Sequence, residues 1–288
     1  MELSFIVSIF EALKKTIPYR HSEIAYHLYG HGPKPVLCLH GYGETGAHFF
    51  FLEKSDALRE YCFIAPDLPW HGDTRWREGL NWNACGLGGL VKHIMAAEGF
   101  SAATGICIIG FSMGGRLALT CFQQQQLAVE KIVLLAPDGL KVNPWYWFGT
   151  QTAPGRRLFR FTMNHPGWFF FLLKMANRLK LINASVFKFV KYYIGDENAR
   201  QLLYKRWITL RSYKPDLARC RALIRNTPAP VTLLYGKYDR IIRPPLAKKF
   251  QRGLEDLITS IKIDSGHQVL HEKHAQEIIA AMQIKPFN

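Results

Sequence analysis

The stretch Ile106-Cys107-Ile108-Ile109-Gly110-Phe111-Ser112-Met113-Gly114-Gly115 decides the fold. Its opening isoleucines and cysteine form an apolar, β-rich run that suits a buried strand. The following Arg116-Leu117-Ala118-Leu119-Thr120 suits a helix. A serine on a sharp turn between such a strand and such a helix has its hydroxyl pushed out above the sheet. Flanking glycines are needed there because the backbone is strained and closely packed. G-x-S-x-G alone is a common pattern, and its other reading is a small polar residue in an ordinary tight turn. Placed between strand and helix, Ser112 is a candidate nucleophile.

Outward from that turn, strand-like runs occur at 23–28, 35–39, 61–65, 106–109, 131–135, 231–235 and 260–263. Helix-length stretches lie between most of them, among them 87–98, 113–126 and 245–254. Apolar strands without polar alternation, separated by helices, predict a mostly parallel sheet covered on both faces. In such sheets ligands bind beyond the carboxyl ends of the strands, and each motif below falls at such an end. No internal repeat is present, and no function attaches to the glutamine run 123–126.

Serine is a weak nucleophile at neutral pH and needs a base. His267, in Asp264-Ser265-Gly266-His267, follows the last strand and is the candidate. A carboxylate must then hold the imidazole in one tautomer and stabilise it when protonated. Asp239 follows the preceding strand, so serine, acid and histidine occur in the chain order of this type of triad. Asp138, after the strand 131–135, is the rival acid, although Pro137 and Gly139 beside it suit a turn residue. Acyl transfer also needs oxyanion donors. The backbone N–H of Met113 and that of Tyr42, in His40-Gly41-Tyr42-Gly43, are assigned that role.

These pieces resemble an α/β-hydrolase fold protein over essentially the whole chain outside one insert. The resemblance rests on His40-Gly41-Tyr42-Gly43, Asp67-Leu68-Pro69-Trp70-His71-Gly72-Asp73-Thr74, Gly110-Phe111-Ser112-Met113-Gly114-Gly115, Gly236-Lys237-Tyr238-Asp239 and Gly266-His267. It implies an α/β fold with a mostly parallel central sheet flanked by helices. It also implies a serine hydrolase with a helical cap inserted after the sixth strand. Trp70 stands where this family usually has glycine, placing a bulky ring near the site mouth. Serine rather than aspartate as nucleophile argues against epoxide hydrolases and haloalkane dehalogenases, and the His40 loop is not the H-G-G-G of many lipases and esterases. His40, Gly41, Trp70 and Phe111 are candidates to line the substrate pocket. His40 and His71 also fit a structural role, bonding loop backbone, and Asp67 and Asp73 fit turn-tying roles.

Charge locates the insert. The chain of 288 residues carries a net charge of +15. Residues 141–225 hold 17 lysines and arginines against three acids (Asp196, Glu197, Asp216), and 17 of the 38 aromatic residues. The remainder is nearly neutral. The expected division is therefore a hydrolase core, 1–139 and 227–288, and a basic, aromatic helical cap, 140–226, with helices near 187–193 and 198–212. The cap has three readings: a solvated, charged outer face over an aromatic core that shields the site, a cap that faces membrane or anionic lipid or binds an acyl chain, and a nucleic-acid surface. No nucleic-acid module accompanies the charge, and the aromatics read as core-like clusters, so no nucleic acid is expected.

At 48% apolar and 13% aromatic the chain can bury a sizeable core and is not disordered. Six cysteines without a C-x-x-C pair, several inside apolar runs, read as buried free thiols rather than disulfides or a zinc site. His267, His271 and His274 have no completing carboxylate or cysteine pattern for a metal, and His271 and His274 are placed on the exposed face of the last helix. No metal or organic cofactor is implied. The apolar run 3–10 lacks the basic start and small-residue cleavage site of a signal peptide and is too short to span a bilayer. It reads as a short amphipathic helix, and the expected location is cytoplasmic, with peripheral membrane contact through the cap left open. The expected partner is a small-molecule ester or acyl substrate; oligomeric state is open. The expected activity is hydrolysis of a carboxylic ester or thioester with a hydrophobic acyl group. C–C bond, amide or lactone hydrolysis, or a non-catalytic hydrolase-like binding role, are the alternatives.

Overall fold

The structure is a computed structural model that describes residues 14–284 apart from 102, 142, 180–186, 188–193, 228 and 243–244. The expected helices at 3–10 and 187–193 lie outside the described residues, save Phe187. Eight strands form one sheet in the order β1-β2-β4-β3-β5-β6-β7-β8. They are β1 (Lys14–Tyr19), β2 (Ser22–Tyr29), β3 (Lys34–Leu39), β4 (Tyr61–Pro66), β5 (Ile106–Phe111), β6 (Val129–Leu135), β7 (Val231–Gly236) and β8 (Ile258–Ile263). β1 pairs with β2, and β2 with β4, antiparallel; every other pairing is parallel. The described helices are α1 (Ala84–Ala97), α2 (Met113–Gln123), α3 (Pro144–Gln151), α4 (Ala153–Asn164), α5 (Gly167–Arg178), α6 (Glu197–Thr209), α7 (Leu217–Asn226), α8 (Pro245–Gln251) and α9 (Ala275–Gln283).

The central strands are continuous apolar runs because both faces are covered. Every residue of β5 and of β7 is buried, and β3 is exposed only at Lys34. One face packs Val36, Cys38, Phe63, Ile109, Val133 and Leu234 against Ile278 and Met282 of α9 and against Val269. α2 is buried along its whole length. The six cysteines are free and only Cys85 is exposed. Burial pushes the thiols of Cys107, Cys121 and Cys220 up to about 12.

β1 departs from the sequence reading, which starts the sheet at β2. Lys14, Lys15 and Thr16 are exposed and Pro18 lies within the strand. Charge and proline are features of an edge strand, and they erase the apolar run on which the reading depends.

The chain forms two compact units, one of residues 1–78, 82–141 and 213–288, the other of 79–81 and 142–212. The second unit ends at Ser212, short of the expected 226, because α7 belongs with the first. Cys220 of α7 is fully buried with its thiol on the Leu119 carbonyl, and Gln123 of α2 accepts the Asp216 N–H at 2.8 Å. Within the second unit, Asn143, Thr152 and Asp196 cap α3, α4 and α6 with side-chain hydrogen bonds. Its aromatics differ from the core-like clusters expected. Tyr146, Phe159, Tyr204 and Trp207 do pack together, their rings meeting edge-on or tilted. Trp145, Trp147, Phe148, Phe161, Trp168 and Phe171 are exposed. No helix among the described residues is long and apolar enough to cross a membrane.

Candidate active site

Strands β3 and β5 are parallel neighbours, yet β3 continues to β4 on one side and β5 to β6 on the other. Such a reversal opens a crevice at the carboxyl edge of the sheet. The His40–Gly43 loop leaves β3 at that edge, and Ser112 leaves β5 there. Asp239 lies three residues beyond β7 and His267 four beyond β8.

Ser112 sits at φ +47°, ψ −113°, a conformation side chains rarely adopt. It occupies the N-cap position of α2 but makes no side-chain cap hydrogen bond. Glycines around it permit the turn by close approach: a Cβ on Gly110 would lie 2.6 Å from the Gly114 carbonyl oxygen, and one on Gly114 only 1.9 Å from that of Leu39.

The Ser112 hydroxyl, released from capping, meets His267 Nε2 at 3.0 Å. His267 Nδ1 meets Asp239 Oδ2 at 2.8 Å. A carboxylate only accepts, so Nδ1 carries the proton and Nε2 is left to accept from serine. The Asp239 side chain is fully buried. Its Oδ1 accepts the N–H groups of Ile241 and Ile242 at 2.8 and 2.9 Å, which compensates the buried oxygen. Asp138, the rival acid, turns elsewhere: Oδ1 accepts its neighbour Gly139 N–H, and Oδ2 lies 3.5 Å from the guanidinium of Arg116.

Tyr42 lies in the loop after β3, and Met113 is the first residue of α2, where helix N–H groups have no intrahelical acceptor. Of the pocket candidates, Phe111 packs its ring beside His267 with centroids 5.6 Å apart, and Gly41 is buried. Trp70 is half-buried at φ +66°, which is why glycine suits its position. His40 is an anchor rather than a pocket wall. It is fully buried, its Nε2 accepts the Leu68 N–H at 3.0 Å, and its Nδ1 donates to the Gly41 carbonyl at 2.8 Å. His71 Nδ1 donates to the Pro69 carbonyl. Asp67 accepts the N–H groups of Gly46 and Asp73, fastening two loops, whereas Asp73 pairs with Lys14 on the surface. His271 and His274 precede the last helix instead of lying on its exposed face, and His274 is buried.

Glu44 escapes the sequence reading. Its Oε2 accepts the Gly41 N–H at 3.0 Å and its Oε1 the Gln268 amide at 2.7 Å. One carboxylate thereby joins the Tyr42 loop to the residue after His267.

Residues 36–281 match the alpha/beta hydrolase family. The chain is 24% identical over 250 residues to the uncharacterized hydrolase YugF of Bacillus subtilis, covering 86% of this chain and 88% of that protein. A thermophilic esterase from Thermogutta terrifontis has a similar solved structure, with a TM-score of 0.62 and 18% identity, over 94% of this chain and 96% of that one. A structure described as a membrane phospholipase A from a bacterium, a virulence factor, matches with a TM-score of 0.62 and 20% identity, over 97% and 90% of the two chains.

Proposed function

The chain belongs to the alpha/beta hydrolase family, and from that premise we propose that it is a serine hydrolase cleaving a carboxylic ester or thioester through an acyl-enzyme on Ser112. The observation that carries this reading is the hydrogen-bonded line from Ser112 through His267 to Asp239, at 3.0 and 2.8 Å.

Ser112 Oγ attacks the acyl carbon while His267 Nε2 takes its proton. Asp239 holds the imidazole in the tautomer that can do so and stabilises the imidazolium that results. The tetrahedral oxygen accepts from the N–H groups of Met113 and Tyr42, whose fixed dipoles favour the developing charge. The imidazolium then gives its proton to the departing alcohol or thiol. Water repeats the sequence in the second half: His267 takes its proton, the acid leaves, and Ser112 is restored.

The aromatic, basic segment 142–212 of the second unit acts in this reading as a helical cap that selects a hydrophobic acyl group. The neighbours described as an esterase and as a membrane phospholipase A support acyl esters as the substrate class. The test is hydrolysis of p-nitrophenyl esters from acetyl to palmitoyl, alongside Ser112→Ala. Turnover should be lost in the variant by several orders of magnitude and rise with acyl length in the wild type. Wild-type inactivity on every ester, together with failure of a fluorophosphonate to label Ser112, would leave a non-catalytic binding protein. Labelling without ester turnover would direct the search to amides, lactones or C–C bonds.

A further inference from the structure

Helix α5 carries two apolar faces where a helix at a protein surface needs one. Leu173 is buried, and Phe169 and Ala176 beside it are half-buried, so one face is occupied. Trp168, Phe171, Leu172, Met175 and Leu179 are exposed by 37, 63, 50, 46 and 63%. At roughly 100° per residue these five positions fall within about a third of the helix circumference. They form one continuous stripe, with the occupied face to one side of it. On the other side stand Lys174 and Arg178, both exposed.

The charge around the stripe is of one sign. From Lys141 to Gly195 the chain holds no Asp or Glu, and Arg157 and Arg160 are exposed on the preceding α4 with Leu158 and Phe161. A surface that is apolar along one line, cationic beside it and free of acid for that length of chain fits an anionic partner with an oily interior. Nucleic acid supplies the charge but has nothing to receive Leu172, Met175 and Leu179. A bilayer interface receives both: apolar side chains sink below the headgroups while lysine and arginine stay level with the phosphates. Tryptophan is also a favoured side chain at that depth.

We propose that the second unit docks onto an anionic lipid bilayer, with α5 lying in the plane of the interface, its 168–179 stripe inserted and Lys174 and Arg178 paired with lipid phosphates. The inference stands independently of the hydrolytic reading.

The full chain is tested by flotation with vesicles of phosphatidylcholine alone and of phosphatidylcholine with phosphatidylglycerol. Two double variants accompany it, Phe171→Ser with Leu172→Ser and Lys174→Gln with Arg178→Gln, each checked for folding by near-ultraviolet circular dichroism. The wild type should float with anionic vesicles and be released at high salt, because headgroup contacts are screened. The serine variant should bind at least about tenfold more weakly, since two large side chains no longer leave water. The glutamine variant should lose its preference for the anionic vesicles. Equal binding by wild type and serine variant, no flotation of the wild type, or equal affinity for neutral vesicles would each overturn the proposal. So would a wild-type dimer in sedimentation velocity that the serine variant abolishes, which would assign the stripe to a second copy of the chain.

Discussion

Ser112 gives up two stabilising features for one bond. A serine at a helix N-cap ordinarily bonds the first turn, and a non-glycine residue ordinarily avoids positive φ. Here the side chain spends its bonding on His267 and the backbone stands at φ +47°. Strain of that kind costs roughly 1–3 kcal/mol. Glycine relieves it but adds freedom to the unfolded chain, so Ser112→Gly should stabilise the protein by about 1 kcal/mol in denaturant melts. Turnover should vanish in the same variant. Asp239→Asn should lower kcat by about 10⁴, because an amide nitrogen facing His267 Nδ1 favours the wrong tautomer. Asp138→Asn should leave kcat close to that of the wild type, since that side chain lies on Arg116. Ser112, Asp239 and His267 could be read from the sequence because each follows an apolar strand by a few residues. Glu44 could not. A lone acid in a loop reads as a solvated side chain, and one of its two partners is 224 residues away.

At the scale of elements, the turn depends on β3 and α2 lying almost in contact. Gly114 faces the Leu39 carbonyl so closely that an added methyl has no room. Gly114→Ala should therefore push α2 off β3, destabilising the fold by about 1–3 kcal/mol. Activity should fall as Ser112 moves away from Tyr42; melts and kcat on a single ester would check both. Gly89, helical and with open space around its Cβ position, is the control, and Gly89→Ala should cost nothing. The strands β3 to β7 were legible because burial on both faces leaves apolar runs. β1 was not, because an edge strand is written in lysines and proline. The arginines of α7 read as part of the insert, whereas its place is set by the Cys220 thiol on Leu119 and the Asp216 N–H on Gln123, single contacts with no compositional weight.

Across the whole molecule, stability should depend on acid through two histidines. His27 and His274 are both held below their ordinary 6.5, first by burial. In the unfolded chain they take up protons as the pH falls through about 6.5; in the folded chain they resist. The unfolded state then binds more protons, so stability rises with pH across that window and is lost below it. The melting temperature should drop between pH 7 and pH 5, and His274→Gln should flatten part of that slope. Loss of the same stability on the alkaline side instead would refute the assignment. The burial of His274 was not legible, since it sits in the polar run His271-Glu272-Lys273-His274.

Ser112, Asp239, His267, Tyr42, Met113 and Glu44 all belong to the first unit, and all of the second but residues 79–81 is one excursion of chain that leaves after Lys141 and returns by Tyr213. Inheritance can therefore edit the excursion without disturbing one hydrogen bond of the line from serine to aspartate. Descendants of such a gene are free to keep an old chemistry while trying new clientele, and kinship in the first unit carries no promise of a shared diet.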